Sequence, residues 1–366
     1  MSADRRRAGN ARPCAARPFE PREPPVRITG DGPSTVPLLQ NERDPATTPA
    51  AAPQPGRAAG ASITGETITK ETEMSLNRRI LLTAGAAGAA ALLTPAAAHA
   101  TGGPAGVTGR LRALEREYGA KLGVYAHNVG TGRTVRHHAD DLFPICSLFK
   151  TLAAAAVLRD LDRDGEFLAR RIHYTEADLV EDSDETRKRL AEGMTVAELC
   201  DVTIRYSDNA AGNLLLRELG GPTAITRFAR SLGDPVTRLD RWETGLNSAE
   251  PWRITDTTSP RAIGRTYARL VLGDALPGAD RELLTHWLLN NTTSPDRLRA
   301  GVPPTWKVAD KTGGGEYGVN NNVGIVWTPD GTPVVLAILS RKADPAAVRE
   351  NALIAKTAKV LTEALA

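Results

Sequence analysis

The sequence predicts an α/β plus all-α protein: an antiparallel sheet flanked by terminal helices, a separate helical lobe, and an active site in the cleft between. Three observations predict it. Strand-like runs lie at both ends of the folded part of the chain, so the ends must meet in one sheet. The middle reads as helix from Ser147 to about His286. Three short polar motifs, spread over both parts, carry side chains that could share one pocket.

The chain has 366 residues, 41% of them hydrophobic, enough for a core of one or two domains. Residues 1 to 73 are rich in Pro, Ala, Arg, Gly and Thr without apolar periodicity. They read as a disordered or mis-annotated upstream extension, with Met74 as the true start. Residues 74 to 100 carry Arg78-Arg79 before Ile80-Leu81, an Ala/Gly/Leu stretch, and Ala98-His99-Ala100. That is the pattern of a twin-arginine-type signal with a small-x-small cleavage site, and Pro95 breaks it well short of a membrane span. It predicts an exported protein, secreted or held in the cell envelope, with no stable membrane insertion after cleavage. N-terminal sequencing of the exported protein tests for a start near Thr101.

Residues 101 to 366 form the catalytic unit in this reading. An α/β lobe takes residues 103 to 143 and 291 to 366, and a helical lobe takes 144 to 290. Val107, Leu111, Leu114 and Tyr118 fall on one helical face. Leu122 to Val129 and Thr134 to His138 read as strands around Gly130-Thr131-Gly132. Leu148 to Leu161 is almost wholly Ala, Leu and Val, which implies a helix buried on most sides. Val196 to Ile204 and Ala210 to Leu219 are further helices. Strands are expected at Trp306 to Ala309, Asn322 to Thr328 and Pro333 to Ser340, the last two joined at Pro329-Asp330-Gly331. Pro345 to Leu365 reads as an amphipathic closing helix.

Charge excludes some functions. A net charge of +3, with basic and acidic residues interspersed, gives no stripe for nucleic acid. Cys14, Cys146 and Cys200 form no CxxC pair, and six scattered histidines show no zinc spacing, so no metal and no cofactor are expected.

The first motif is Ser147-Leu148-Phe149-Lys150. Three residues apart on a helix, Ser147 and Lys150 share a face, and a serine becomes a nucleophile when a neighbour takes its proton. So apolar a helix gives an ordinary solvated lysine no place, and Lys150 needs buried partners. The second is Ser207-Asp208-Asn209, between two helices. Ser207 can relay a proton to a leaving nitrogen and Asn209 can donate to a substrate carbonyl, while Asp208 suits a helix cap. The third is Lys311-Thr312-Gly313, at the end of a short strand. Lys311 and Thr312 can hold a carboxylate, and backbone N–H groups of Gly314 and Ser147 can face an oxyanion.

In this order the motifs resemble those of the penicillin-recognising serine enzymes. Leu179-Val180-Glu181, Gly193-Met194-Thr195-Val196 and Asn209-Ala210-Ala211-Gly212-Asn213 extend the likeness to class A β-lactamases, over residues 103 to 366. The resemblance implies a β-lactamase/transpeptidase-like fold, β-lactams as small-molecule substrates, and Ser147 as the acylated residue.

Arg241-Trp242-Glu243-Thr244-Gly245-Leu246-Asn247 resembles the class A loop that carries the deacylating glutamate. Glu243 and Asn247 could grip one water between them, with Glu243 as its base. The resemblance implies that Asn213 bonds the Glu243 side chain, and that an Arg241–Asp256 salt bridge closes the loop. It also implies that Arg297 contacts the substrate carboxylate, where many relatives carry an arginine at the place of Val334-Val335. Either Lys150 or Glu243 could deprotonate Ser147.

The chain departs from its relatives in several places. Thr244 replaces a common Pro, Asp182 an aromatic at the pocket mouth, and Gly314 a Ser, Thr or Ala. Ala154 and Gly315 stand where partners of Cys200 and Cys146 would be, so no disulfide is expected and Cys146 is a small buried residue. The leading expectation is a monomeric class A β-lactamase. The alternatives are a penicillin-binding DD-peptidase or sensor that stays acylated, and a binding protein that keeps the fold without turnover.

Overall fold

In the computed structural model of the chain, residues 104–366 are described, with side chains from Gly106 onward. The expected extension and signal lie outside the described residues. Helix α1 (Pro104–Tyr118) leads into β1 (Lys121–Asn128) and β2 (Thr134–His137). A short strand, β3 (Phe143–Pro144), and a 3₁₀ turn (Cys146–Leu148) deliver the chain to α2 (Phe149–Ala156). The helical middle follows: α3 (Glu166–Ala169), β4 (Arg171–Ile172), α4 (Asp184–Lys188), β5 (Met194–Thr195), α5 (Val196–Arg205), α6 (Asn209–Glu218) and α7 (Thr223–Ser231). After a long irregular stretch come β6 (Thr257–Thr258), α8 (Pro260–Val271), α9 (Gly278–Leu289) and α10 (Leu298–Gly301). The sheet is completed by β7 (Lys307–Gly314), β8 (Asn320–Trp327) and β9 (Pro333–Arg341), and α11 (Asn351–Leu365) closes the chain.

Five strands form one antiparallel sheet in the order β2-β1-β9-β8-β7. The N-terminal hairpin and the C-terminal meander therefore meet where β1 pairs β9, from Lys121↔Arg341 to Asn128↔Val334. Strand β9 is apolar on both faces because both faces are covered. Val334, Leu336 and Ile338 pack with α1 and α11, whereas Val335, Ala337 and Leu339 join the core that continues into the helical lobe. Helix α2 lies at the centre of that second core, and all eight of its residues are buried.

Some boundaries differ from the sequence reading, for identifiable reasons. The strand expected to end at Ala309 runs on to Gly314, because Asn320, Asn321 and Asn322 pair with Gly314, Gly313 and Thr312. The expected strand from Asn322 starts two residues earlier, at Asn320, and all three asparagines are buried with their Nδ2 groups bonded. Asn321 Nδ2 donates to Pro144 O at 2.8 Å, and Asn322 Nδ2 to Asp310 Oδ2 at 2.7 Å. The last helix starts at Asn351 rather than Pro345, since Pro345 O accepts from Tyr317 N–H at 3.0 Å and Lys342 N–H donates to Tyr317 O at 2.7 Å. The long helix expected over 148–161 is regular only to Ala156 and continues as one π turn to Leu161. The two-residue ladders β3–β6 and β4–β5 are too short to give any periodicity and were not foreseen.

Candidate active site

The residues of all three motifs meet in a cleft of about 970 Å³ between the β7 edge and the helical lobe. Its walls include Ser147, Ser207, Asn209, Asn247, Arg297, Thr312, Gly313 and Gly314. Several backbone positions there are held in the left-handed region without glycine: Cys146 (φ 45°), Asp182 (56°), Ser207 (62°) and Tyr317 (54°). Such conformations cost on the order of 1–3 kcal/mol each and persist only where packing imposes them. The turn at Cys146 places Ser147 at the mouth of α2, against β7. A methyl on Gly313 would sit 3.2 Å from Ile145 O and 3.3 Å from Ser147 N, so glycine lets the strand approach the serine.

Ser147 Oγ donates to Glu243 Oε1 at 3.3 Å. Lys150, fully buried, has its ammonium among three acceptors: Ser207 O at 2.7 Å, Asn209 Oδ1 at 2.5 Å and Glu243 Oε1 at 3.1 Å. Lys311 Nζ reaches Ser207 Oγ at 2.9 Å and Thr312 O at 3.0 Å, and among the described residues no carboxylate forms an ion pair with it. Burial, and then the charges of Lys150 and Arg297, push the Lys311 ammonium well below the usual lysine range. An anionic carboxylate entering there would favour its charged form. Ser207 Oγ, 3.4 Å from Lys150 and 2.9 Å from Lys311, bridges the two amines.

Asp208 takes the structural role among its neighbours. Its Oδ1 accepts from Ala211 N–H at 2.9 Å and caps α6, while Oδ2 accepts from Glu185 and Thr186 N–H, each at 3.0 Å. Asn209 spends one N–H on Glu181 O at 2.8 Å and faces the cleft.

Glu243 is 5% exposed and its second oxygen accepts from Asn247 Nδ2 at 2.6 Å. Asn247 Oδ1 is buried and receives no hydrogen bond from the described protein, so an acceptor remains beside the carboxylate. The expected contact from Asn213 needs correction. Its Oδ1 accepts from Glu243 N–H at 3.0 Å and its Nδ2 donates to Glu243 O at 2.9 Å, so it clamps the main chain, not the side chain. A side-chain amide satisfies a peptide's donor and acceptor at once, which leaves the carboxylate free to face Ser147 and Asn247. The Glu243–Thr244 peptide is cis.

The loop is tied by Arg241 and Asp256. Arg241 Nε donates to Asp256 Oδ2 at 2.6 Å, and Asp256 Oδ1 accepts from the N–H groups of Asp240 and Arg241 at 2.7 and 2.9 Å. Asp256 is 1% exposed, so its charge is compensated by these contacts alone or not at all. Asp256→Asn turns one acceptor into a donor facing the guanidinium. It is expected to lower the thermal midpoint by roughly 5–10 °C and to slow turnover by loosening Glu243, read by calorimetry and steady-state rates.

Arg297 is half-buried and its Nε donates to Asn351 Oδ1 at 3.1 Å. Burial and the nearby Arg349 lower it to about 10. It lines the cleft, whereas Arg299 turns inward to Asp310 at 2.9 Å. The sequence reading missed Arg349. A Cβ on Gly314 would lie 2.7 Å from Arg349 Nη1, so this guanidinium covers the position where a side chain is absent. Residues 345–350, expected as helix, form instead the loop that carries Arg349 to the cleft. Helix α11 is capped by Glu350 without a side-chain capping bond, and Asp344-Pro345 reads as a helix start, so the sequence carries no local signal for this boundary.

Cys146 and Cys200 are free and fully buried, and burial pushes both thiols up. Gly315 is packed where a partner for Cys146 would stand: a Cβ there would be 2.6 Å from Asn247 O and 3.0 Å from Cys146 Sγ.

Comparison with known proteins gives consistent matches. A family model described as the β-lactamase enzyme family matches residues 106–365. A model described as TAP-like protein matches residues 2–74, outside the described residues. A β-lactamase from Streptomyces fradiae is 59% identical over 297 residues, covering 79% of this chain and 97% of its own length. One from Streptomyces albus G is 60% identical over 306 residues, with the same coverage. The solved Streptomyces albus G β-lactamase superposes with a TM-score of 0.69 at 62% identity, over 71% of this chain and 99% of that one. A solved class A β-lactamase described as the last common ancestor of Gram-negative bacteria gives 0.68 at 47% identity, over 70% and 98%.

Proposed function

The chain belongs to the β-lactamase enzyme family as a class A serine enzyme that hydrolyses the β-lactam ring, and on that premise we propose which residues carry the reaction. The observation that carries the proposal is the position of Glu243. One of its oxygens accepts from Ser147 Oγ at 3.3 Å, and the other is held by Asn247 at 2.6 Å. One carboxylate thus serves both the nucleophile and the place from which water must attack.

Ser147 Oγ adds to the lactam carbonyl carbon and its proton passes into the Glu243–Lys150–Ser207 network. Three acceptors around Lys150 Nζ are what an ammonium satisfies, which favours Glu243 over Lys150 as the first base. The oxyanion faces the N–H groups of Ser147 and Gly314. As the C–N bond breaks, Ser207 delivers a proton to the leaving nitrogen. Lys311, Thr312 and Arg297 take the substrate carboxylate, Gly313 leaves room for the strand to approach, and Asn209 donates to the side-chain amide. Water held between Glu243 and Asn247 then loses its proton to Glu243, attacks the ester carbonyl and frees Ser147. Asn213, Arg241 and Asp256 position Glu243.

A penicillin-binding enzyme or sensor would use the same acylation and stop there. Excess chromogenic cephalosporin separates the two. Many product equivalents per enzyme are expected, and a single stoichiometric burst would overturn the proposal.

We further propose that residues 101–366 are the mature enzyme, in lobes 103–143 with 291–366 and 144–290, exported by the twin-arginine-type segment 74–100. Among the described residues no helix is long and apolar enough to cross a membrane.

A further inference from the structure

On the side of the sheet where α1 packs against the N-terminal hairpin, and outside the cleft, Glu115, His137 and His138 converge. A ligand atom from each lies within 4.8 Å of the other two. Linear spacing gave no hint of this. His137 ends β2 and His138 follows it, and the carboxylate arrives from α1, 22 residues before His137.

We propose that Glu115, His137 and His138 form a site for a divalent first-row transition ion, with Asp141 orienting His138. Four observations support it. First, the donor set is right: two imidazoles and one carboxylate suit zinc, nickel or copper, and a water can take a fourth position. Second, the spacing is close. His137 Nε2 is 2.9 Å from Glu115 Oε2, and His138 Nε2 is 3.7 Å from Glu115 Oε1. Ligands at ~2.0–2.2 Å from a tetrahedral zinc lie roughly 3.4 Å apart, between those two values. Third, the supports of a metal site are in place. Asp141 Oδ2 lies 3.4 Å from His138 Nδ1, which directs Nε2 toward Glu115, and Leu122 N–H donates to Glu115 Oε1 at 2.9 Å. Fourth, His138 has φ 45°, a backbone that a non-glycine residue rarely adopts, and it turns the ring across its neighbour at an interplanar angle of 70°.

Access and charge also fit. Side chains of His137 and Glu115 are 6% and 17% exposed, while His138 is 42% exposed and gives an entry path. Lys121 Nζ binds the same Asp141 oxygen at 2.5 Å and Arg341 also acts on that carboxylate, so both cations are held at Asp141 and not at Glu115. Binding replaces the His137–Glu115 hydrogen bond with two bonds to the ion and ties α1 to β2.

The test is calorimetric titration of the untagged, chelator-treated protein with Zn²⁺ at pH ~7.5, with β-lactam hydrolysis measured on the same samples. One equivalent should bind and raise the thermal midpoint by roughly 5 °C at ~100-fold excess over the dissociation constant. His138→Ala, at an exposed position, should weaken binding at least ~10-fold, and Asp141→Asn should weaken it less. Both variants should hydrolyse β-lactam at the parent rate. A simple acid–histidine contact predicts no saturable binding below about 1 mM, and that result overturns the proposal. So does zinc binding that His138→Ala leaves unchanged. Neither outcome touches the assignment of the cleft, which the hydrolysis rate reads separately.

Discussion

Ser147→Ala is expected to lower kcat by on the order of 10⁵–10⁶ while substrate affinity changes less than about tenfold. The two effects separate because the groups that bind differ from the group that reacts. Lys311, Thr312 and Arg297 line the carboxylate end, and Asn209 the opposite wall, with none depending on the serine hydroxyl for its position. Lys150 keeps its bonds to Ser207, Asn209 and Glu243, so no buried charge is stranded. The variant should therefore fold, bind, and form no covalent adduct by mass spectrometry. Residual turnover near the parent rate would remove Ser147 as the nucleophile.

Much of this arrangement is displayed locally along the chain. Ser147 and Lys150 are one helical turn apart, Ser207 and Asn209 flank a capping residue, and Glu243 and Asn247 lie within one loop. Each pair is legible because its partners are close in sequence. The sheet was legible for a related reason: β9 is apolar from Pro333 to Leu339, which only a strand covered on both faces can sustain. What could not be read depends on long-range contact. Asn320 and Asn321 fall outside the expected strand, and only Asn351 and Pro144, far along the chain, supply partners that hold them in it. Asn213 was assigned to the wrong part of Glu243, because a motif records proximity and not which atoms meet. Arg349 and the Glu115–His137–His138 cluster are assembled by the fold from segments with no periodic signal.

Glu243→Gln is expected to form one equivalent of product slowly, and then to turn over about 10³-fold or more below the parent rate, as the acyl-enzyme accumulates. The substitution is nearly isosteric, and Asn213 holds the main chain at this position, so the loop keeps its shape. What is lost is a base beside Asn247 and a negative charge 3.1 Å from Lys150. An amide cannot take the proton of water, so the ester at Ser147 persists and a mass increase of one opened substrate should be trapped on the protein. The speed of the first equivalent carries separate information. If Glu243 also receives the Ser147 proton, as the 3.3 Å contact favours, acylation slows along with deacylation and the burst itself becomes slow. If Lys150 can do that work alone, the burst stays fast and only the second step fails. Rapid-mixing measurement of the burst distinguishes these outcomes, and an unchanged steady-state rate would exclude Glu243 from deacylation altogether. In each case the carboxylate is judged by which of two bond-breaking steps it limits, which is the difference between an enzyme that releases its acyl group and one that remains blocked by it.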